Sequence, residues 1–235
     1  MSNISTEMTD SFILDINGKP GLYGLYAVSG LGKTGLLMYF CHKIVKAGKG
    51  TPLVFSLEMS EEYWRKRMIS HGLCSEGFKV VDTPAVSVSD MEKLIQKYTP
   101  SIVFIDYMHL INDSDTIKKL KMTAENNNTA IVVAANLVRN CGDLDPMYRR
   151  PQLMDLVWAY DKKKTIEEFL DDMRSYNAIL LLHRNHDCRR GIGTAYCYNI
   201  CDTAEIKVYR NYAWEPPFSL YFDYGMLKVS DQNDG

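Results

Sequence analysis

Apolar and polar positions follow two periods along the chain, and these periods predict strands and helices in alternation. Short apolar runs, such as residues 101–105, have the length and composition of strands that are buried on both faces of a sheet. Segments with apolar residues three and four positions apart, such as residues 33–46, have the period of helices. The predicted strands are 22–28, 52–57, 78–81, 101–105, 130–135, 178–182, 204–209 and 218–222. The predicted helices are 33–46, 60–70, 87–98, 115–126 and 164–176.

The order of these elements predicts an α/β fold with a mostly parallel central sheet. Strands that alternate with helices form parallel sheets with helices on both faces. The last third differs, because no helix separates strands 204–209 and 218–222, and we therefore expect an antiparallel C-terminal edge. We expect one domain over residues 21–230, an N-terminal arm over 1–20 and a tail over 231–235.

A turn rich in small residues joins the first predicted strand to the first predicted helix. Its sequence, Ala27-Val-Ser-Gly-Leu-Gly-Lys-Thr34, has the form of a phosphate-binding loop (Walker A), with Ala27 where the first glycine usually stands. Such a turn directs backbone N–H groups into one concavity, and the positive end of the following helix attracts anions. A chance glycine-rich turn is the alternative, but the strand before and the helix after favour nucleotide binding. The residues expected to bind the nucleotide are Ser29, Gly30, Leu31, Gly32, Lys33, Thr34 and Gly35.

Within that loop, two side chains have the chemistry of a site for a nucleotide and its metal. Lys33 would contact the outer phosphates, and the Thr34 hydroxyl would bind Mg²⁺. An acidic partner at the end of a neighbouring strand completes such sites, and Asp106 follows strand 101–105 (Walker B). Asp106 would hold the water shell of the metal, and capping of a loop is its alternative role.

A second carboxylate, that of Glu58, follows strand 52–57. A glutamate at this place would orient or deprotonate the attacking water in the hydrolysis of a phosphoanhydride. A favourable charge at the N-terminus of the next helix explains Glu58 equally well. The residues alone leave that choice open.

Composition and charge narrow the class of protein. Of 235 residues, 46% are hydrophobic and 24% are charged, which is typical of a globular domain and excludes a disordered chain. The formal net charge of −2 excludes a nucleic-acid binder that is cationic along its whole length, but not a local basic loop. No apolar run is long enough to cross a bilayer, and the polar start has no signal-peptide core. With six scattered cysteines, the chain is expected in the cytoplasm with reduced thiols and no membrane partner.

Two further motifs resemble one family. Ser56-Leu-Glu-Met59 after the second strand and Ile105-Asp-Tyr-Met-His-Leu-Ile111 around the acidic strand are similar to the C-terminal motor domain of DnaB-type replicative helicases. The resemblance runs from about Gly21 to about Val229. It implies a RecA-like P-loop NTPase fold that uses ATP and Mg²⁺.

The resemblance also implies roles for individual residues. Lys33 and Thr34 would bind phosphate and Mg²⁺, and Asp106 would be the acid on the metal side. Glu58 becomes the catalytic base, which decides between the two roles left open above. Arg67 matches an arginine that the family places on the helix after this glutamate.

The chain departs from the family pattern at several places. Asn136 stands where the family has a glutamine that senses the γ-phosphate, and its amide makes the same hydrogen bonds with a reach shorter by one methylene. In the late hairpin the family supplies a lysine and an arginine to the nucleotide of the neighbouring subunit. Arg210 matches the lysine, but Tyr212 occupies the arginine-finger position, and a finger is worth roughly 10³–10⁵ in rate in other nucleotidases. We expect the family's N-terminal helical domain to be absent, because about 20 residues precede the first strand.

Two clusters have more than one interpretation. Arg139, Arg149 and Arg150 fall in a connection whose family counterpart faces the central channel, and basic side chains near an aromatic suit single-stranded DNA. A solvated loop without a ligand is an equal alternative. The second cluster has side chains of the types that bind zinc, but its spacing fits no standard finger, and a reduced loop is the better interpretation. Its members are His183, His186, Cys188, Cys197 and Cys201.

The first hypothesis is an ATP-binding ATPase of the DnaB-type helicase class, which couples hydrolysis to DNA binding and unwinding in replication. Lys33, Glu58, Asn136 and Arg210 would be catalytic, and the partners would be single-stranded DNA, copies of the chain in a homo-hexamer, or other replication proteins. The alternative is a catalytically weak, nucleotide-binding accessory or helicase-loading protein derived from a helicase motor, which Tyr212 favours. A recombinase- or clock-type relative of the same fold is a third hypothesis, and the two helicase-like motifs argue against it.

Overall fold

The computed structural model describes residues 4–111, 113–137, 166–187, 199–210, 213–214 and 218–221. The helices are α1 (Ile4–Ile16), α2 (Lys33–Lys46), α3 (Glu61–Ser70), α4 (Val88–Tyr98), α5 (Thr116–Asn126) and α6 (Ile166–Arg174), with a 3₁₀ turn at Met108–Leu110. The strands are β1 (Gly21–Ala27), β2 (Leu53–Ser56), β3 (Lys79–Val81), β4 (Ile102–Asp106), β5 (Ala130–Asn136), β6 (Tyr176–Asp187), β7 (Asn199–Arg210), β8 (Ala213–Trp214) and β9 (Phe218–Tyr221).

The described strands form one nine-stranded sheet in the order β3-β2-β4-β5-β1-β6-β7-β8, and β9 also pairs with β7. The pairs from β3 to β6 in this order are parallel. β7 is antiparallel to β6, and β8 and β9 are antiparallel to β7. The predicted parallel sheet with an antiparallel C-terminal edge is therefore confirmed.

The carboxyl ends of four parallel strands meet at one edge of the sheet, which we call the phosphate edge because the predicted phosphate-binding loop begins there. Ala27, the last residue of β1, pairs with Asn136, the last residue of β5. Ser56, the last residue of β2, pairs with Asp106, the last residue of β4, and Asp106 in turn pairs with Ala134 of β5. The loops that follow these strands therefore begin side by side.

Two apolar layers cover the sheet, one on each face. Successive side chains of a strand point to opposite faces, so that Leu25 packs in the layer with α1, α2 and α3, and Tyr26 packs in the layer with α4, α5 and α6. Fully buried side chains such as Phe40 on one face and Met91 on the other contribute about 1.5–3 kcal/mol each. None of the described helices is both long and apolar enough to pass through a membrane.

Two helices begin directly after serine residues that cap them. The Ser60 hydroxyl accepts a hydrogen bond from the backbone N–H of Tyr63 (3.2 Å), and the Ser87 hydroxyl accepts one from that of Asp90 (3.2 Å). Each satisfies an N–H group that has no partner inside its own helix, which is worth about 1 kcal/mol. The start of α3 is thereby fixed close to the end of β2, where Glu58 lies.

The segment expected to be an arm contains a helix that packs on the domain. Phe12, Ile13 and Ile16 of α1 are buried in the core layer of α2. Asp10 accepts a hydrogen bond from the Tyr39 hydroxyl (2.7 Å) and pairs with Lys43, both on α2. The sequence analysis missed α1 because its polar first residues hide the apolar face of its second half.

The strands of the antiparallel edge extend further than their apolar runs predict. β6 and β7 have 12 residues each, and they pair from Ala178–Arg210 to Asp187–Asn199. The prediction ended β6 at residue 182, because polar residues follow it in the sequence. Backbone hydrogen bonds between two antiparallel strands do not depend on apolar side chains, and the ladder continues past the core.

Candidate nucleotide-binding site

The predicted phosphate-binding loop, residues 27–34, connects β1 to α2 at the phosphate edge and is called the phosphate loop below. Gly30 and Gly32 have φ angles of 79° and 100°, which residues with a Cβ rarely adopt. Gly32 directly precedes α2, and because it has no side chain it leaves the first N–H groups of that helix free of a side-chain cap. Ser29 and Gly30 are exposed, whereas Leu31 is fully buried and anchors the loop. The loop therefore presents backbone donors and a positive helix end toward solvent.

The Lys33 side chain folds back onto the loop. Its Nζ donates to the carbonyl oxygens of Ala27 (3.1 Å) and Val28 (3.3 Å), and the residue is 3% exposed. Burial lowers the pKa of Lys33 to about 8. The negative charges of Asp106 and Glu58 have the opposite effect and keep the pKa from falling further. The ammonium group thus lies at the start of α2, where the phosphates of a nucleotide would bind.

Thr34 and Asp106 form a buried pair next to Lys33. The Thr34 Oγ1 donates to the Asp106 Oδ2 (2.8 Å). Burial raises the pKa of Asp106 to about 6, and the negative charge of Glu58 also raises it. The hydrogen bond from Thr34 and the positive charges of Lys33 and Arg67 lower this pKa and partly offset the effect of burial. The Asp106 Oδ1 is buried and has no hydrogen-bond partner within the described part of the chain.

This pair fits a hard divalent cation. Mg²⁺ prefers oxygen ligands and keeps several waters, so that one hydroxyl and one carboxylate next to the phosphates suffice to hold it. The Thr34 hydroxyl and the partnerless Asp106 Oδ1 are such oxygens. The residues that were expected to bind the metal therefore do lie together.

Glu58 lies at the same edge, two residues after β2. The Leu57 N–H donates to the Asp106 carbonyl (2.8 Å), which ties the end of β2 to the end of β4. The Glu58 side chain is exposed, and its charge acts on Lys33, Asp106 and Tyr107. The structure thus brings Glu58 next to the Lys33–Thr34–Asp106 cluster.

Asn136 and Arg67 complete the surroundings of this cluster. Asn136 ends β5 beside Ala27, and the next residue donates its N–H to the Ala27 carbonyl (2.8 Å). The Asn136 Oδ1 is buried without a hydrogen-bond partner among the residues described. Arg67 lies half-buried on α3, close enough for its charge to lower the pKa of Asp106. Asn136 is therefore on the phosphate edge, and the charge of Arg67 acts on that edge from α3.

Tyr107 is a member of the site to which the sequence analysis assigned no role. The Asp106–Tyr107 peptide bond is cis, and the Lys33 Nζ lies 5.5 Å from the centre of the Tyr107 ring. The pKa of Tyr107 is raised to about 12, chiefly by burial and then by the negative charges of Glu58 and Asp106. The proximity of Glu58 as a hydrogen-bond acceptor also raises this pKa, whereas that of Asn136 lowers it. Its position directly after Asp106 was the available signal.

Arg210 lies away from this cluster, near the opposite edge of the sheet. It ends β7 and pairs with Ala178, which pairs with Tyr23 near the start of β1. Four residues of strand separate Tyr23 from Ala27, about 13 Å at 3.3 Å per residue. The Arg210 guanidinium contacts α1 instead, 5.3 Å from the ring centre of Phe12 and 4.0 Å from Asp15 Oδ2.

A cavity of about 230 Å³ borders Arg210 at that opposite edge. It is lined by Lys121, Met173, Arg174, Tyr176, Asn177, Ile179, Tyr209 and Arg210. Apart from Arg210, which is expected to act on the nucleotide of a neighbouring subunit, none of the residues predicted to bind nucleotide lines this cavity. The cavity is therefore separate from the phosphate edge.

Several predicted residues lie outside the described part of the chain. These are Arg139, Arg149 and Arg150 of the basic connection, Tyr212, and Cys188 and Cys197 of the candidate zinc cluster. His183 is buried on β6, and the side chains of His186 and Cys201 are likewise outside the description. Within the described residues, no group of three or more His, Cys, Asp or Glu side chains is placed to hold a metal ion.

Comparison with known proteins supports the fold. No protein-family model matches the sequence, and no curated protein matches it. A DnaB-like replicative helicase, described with its interactions with primase, superposes with a TM-score of 0.66 at 16% identity, over 89% of this chain and 58% of that one. A second solved structure, that of a separate ATPase domain, superposes with a TM-score of 0.61 at 16% identity, over 88% of this chain and 84% of that domain. The chain has the fold of these helicase ATPase domains.

The expected resemblance is thus confirmed at the level of the fold. The chain spans little more than half the length of the DnaB-like helicase but most of the length of the second structure, the separate ATPase domain. The RecA-like fold that the resemblance implies is the fold found, and it brings the predicted phosphate loop, Glu58 and Asp106 to one edge of the sheet.

Proposed function

We propose that the chain is a Mg²⁺-dependent ATPase domain of the DnaB-type helicase class, which couples ATP hydrolysis to DNA binding and unwinding in replication. The observation that carries the proposal is the buried Thr34–Asp106 pair beside Lys33 at the N-terminus of α2. A buried carboxylate that leaves one oxygen without a partner is costly unless the oxygen serves a ligand. The helicase-like fold supports the class of enzyme.

Three residues would bind the nucleotide and its metal in the proposed reaction. Lys33 would exchange the carbonyls of Ala27 and Val28 for the outer phosphates, and Thr34 and Asp106 would hold Mg²⁺. When bound, Mg²⁺ neutralises charge on the β- and γ-phosphate oxygens.

The remaining residues act around the terminal phosphate. Glu58 orients the attacking water and accepts its proton, because its side chain is exposed and its charge acts on both Lys33 and Asp106. The Asn136 amide donates to the γ-phosphate, and Arg67 adds positive charge next to Asp106. Positioning and charge provide most of the catalysis in phosphoryl transfer, so that this arrangement suffices for hydrolysis.

Arg210 serves a nucleotide only between copies of the chain. It lies about 13 Å along β1 from the phosphate loop of its own copy. We therefore place its catalytic role at the site of a neighbouring subunit, in the proposed homo-hexamer. Arg139, Arg149 and Arg150 are proposed to bind the backbone of single-stranded DNA.

The second candidate function is that of a nucleotide-binding accessory or helicase-loading protein with little turnover. The contacts of Arg210 favour it, because Phe12 and Asp15 of α1 hold the guanidinium within its own domain. Asn136 also favours the accessory protein, because its side chain is one methylene shorter than that of the glutamine in the helicases.

ATP turnover with Mg²⁺, measured with and without single-stranded DNA, distinguishes the two functions. Hydrolysis that DNA stimulates, and that Glu58→Gln abolishes, supports the motor. The matched control is Glu62→Gln, because Glu62 is an exposed glutamate on the first turn of α3, and this variant should hydrolyse ATP like the wild type. Tight ATP binding with negligible turnover, in a particle the size of a monomer, supports the accessory protein.

Nucleotide binding itself is tested with Lys33→Ala. The variant should lose ATP binding, because the ammonium group is the main cation at the phosphate loop. Lys66→Ala removes an exposed lysine of α3 and is the matched control. If Lys33→Ala binds ATP as tightly as the wild type does, the assignment of the phosphate site is wrong.

A further inference from the structure

The cavity of about 230 Å³ lies at the opposite edge of the sheet from the phosphate loop. Its lining residues come from α5, α6, the start of β6 and the end of β7. Pockets for drug-sized ligands measure about 300–1,000 Å³. This cavity is smaller, so that it fits a ligand about the size of one large side chain rather than a whole nucleotide.

The charge of the lining is positive. Lys121, Arg174 and Arg210 line the cavity, and none of the described residues of the lining is acidic. The carboxylate partners of two of these cations lie outside the lining: Lys121 Nζ is 3.2 Å from Glu125, and Arg174 Nη1 is 2.9 Å from Asp171. Both carboxylates are more than half exposed, and ion pairs that are open to water contribute little. An anion in the cavity therefore competes with weak partners only.

A hydrogen bond holds the Lys121 ammonium beside the cavity. Its Nζ donates to the Asn177 Oδ1 (2.7 Å), and the same oxygen accepts from the Leu22 backbone N–H (3.0 Å). The Lys121 side chain is mostly buried, so that its charge interacts more strongly with an anion than a fully hydrated charge would. Since the Asn177 oxygen accepts both bonds, the amide nitrogen of this side chain supplies a donor for the same anion.

The rest of the lining is apolar. Met173 and Ile179 are buried members of the layer that contains α4, α5 and α6. The Tyr176 hydroxyl is directed into that layer, where it lies 2.6 Å from the Tyr26 hydroxyl and donates to the Met108 Sδ (3.8 Å). Tyr176 therefore contributes its ring to the cavity, and a ligand with an apolar group would cover this wall.

We propose that the cavity binds a small organic carboxylate that carries an apolar group, either a free molecule or the carboxyl terminus of a polypeptide. The carboxylate pairs with Lys121 and Arg174 and accepts from the Asn177 amide, while the apolar group packs against Met173 and Ile179. Inorganic phosphate has no apolar part for that wall, and a DNA backbone would place further negative charges next to the exposed carboxylates that pair with the two cations. The inference is independent of the proposed function, because the cavity lies away from the phosphate edge.

The test uses 3-phenylpropionate as the probe and the methyl group of Met173 as the reporter. In protein labelled with ¹³C at the methionine methyl groups, Met173→Leu identifies the signal. The probe should shift that signal saturably, with a dissociation constant on the order of 1 mM, as expected for so small a ligand. 3-Phenylpropionamide, which lacks the charge, and acetate, which lacks the ring, should each bind at least about tenfold more weakly.

Variants show whether the cations bind the carboxylate. Lys121→Gln and Arg174→Gln should each weaken binding of 3-phenylpropionate about tenfold, because each removes a charged donor. Lys118→Gln, at an exposed lysine of α5 outside the lining, is the matched control and should bind like the wild type. An unchanged unfolding temperature in all three variants shows that the fold is kept.

Three results would overturn the inference. The first is a Met173 signal that does not move at about 10 mM probe, roughly ten times the expected constant. The second is equal affinity for the acid and its amide, or for the wild type and Lys121→Gln. The third is a larger shift with inorganic phosphate or an oligo-dT strand than with the carboxylate, which would make the cavity a phosphate site.

A peptide distinguishes the two sources of the carboxylate. Acetyl-Gly-Phe presents the same phenyl ring and carboxylate at the end of a polypeptide chain. If it binds at least as tightly as 3-phenylpropionate, the site receives the carboxyl terminus of a protein. If only 3-phenylpropionate binds, the ligand is a free small molecule, and the assignment of the carboxylate site holds in both cases.

Discussion

The affinity for nucleotide should fall as pH rises from 7 to 9. Lys33 binds phosphates in its charged form, and burial lowers its pKa to about 8 in the free protein, although Asp106 and Glu58 favour the charged form. Above that pKa the free protein holds mostly neutral Lys33. Phosphates favour the ammonium, so that binding must then take up a proton.

The size of the effect follows from the pKa. With a pKa of about 8, about nine-tenths of Lys33 is charged at pH 7 and about one-tenth at pH 9. The dissociation constant should therefore rise about tenfold over this range, or about 1.4 kcal/mol in binding free energy. A lysine with its ordinary pKa near 10.4 would change the constant by only a few per cent. Terminal phosphates are ionised throughout this range, and so the nucleotide contributes little to the change.

Calorimetric titration with a non-hydrolysable ATP analogue measures both quantities. Repeating it at pH 8 in two buffers that differ in ionisation enthalpy gives the number of protons taken up, which should be about one half. Lys33→Arg is the control, because a guanidinium stays charged and its affinity should not depend on pH in this range. A wild-type dissociation constant that is the same at pH 7 and pH 9, without proton uptake, would refute the argument from burial.

Three further predictions concern stability. Asp106→Asn should stabilise the ligand-free protein at pH 7–8 by about 1–3 kcal/mol in urea unfolding, because burial raises the pKa of Asp106 to about 6 and the charged form is disfavoured there. For the wild type, this group's contribution to stability is largest below pH 4 and falls as pH rises through about 6, a trend that Asp106→Asn should lack. Ile13→Ala should cost about 2–5 kcal/mol, whereas Ile69→Ala, at a side chain that is 62% exposed, should cost less than about 0.5 kcal/mol. Gly32→Ala should cost about 1–2 kcal/mol, because a φ of 100° is strained for a residue with a Cβ. Gly35→Ala within α2 should be neutral or stabilising, since a Cβ there meets no atom within 4 Å, and equal losses at the two positions would contradict this.

The parts of the fold that depend on local sequence were predictable. The strands that end in Ala27, Ser56, Asp106 and Asn136 are short apolar runs buried on both faces, which is a strong signal. Since parallel strands share one carboxyl edge, placing their final residues together required only the alternation of strands and helices. The contact of Thr34 with Asp106, 72 positions apart, follows from that geometry.

The parts that depend on tertiary contacts were not predictable. α1 is helical because Phe12 and Ile13 find a buried place against α2, and no periodic signal in the polar first residues indicates this. Tyr107 becomes part of the site through its neighbours on two other strands, whereas in the sequence it is one tyrosine among 15. Arg210 came from the resemblance, which assigns it to the nucleotide of a neighbouring subunit, and its distance from the phosphate loop of its own copy depends on the antiparallel pairing of β7 with β6.

The helix that begins at the phosphate loop links two distant parts of the domain mechanically. α2 has 14 residues and is therefore about 21 Å long, with Lys33 and Thr34 at one end. From its middle onward, Tyr39 and Lys43 contact Asp10 of α1. Any tilt of α2 would therefore move α1 with it. A spectroscopic probe on the exposed side of α1 would report whether occupancy of the phosphate site produces such a tilt.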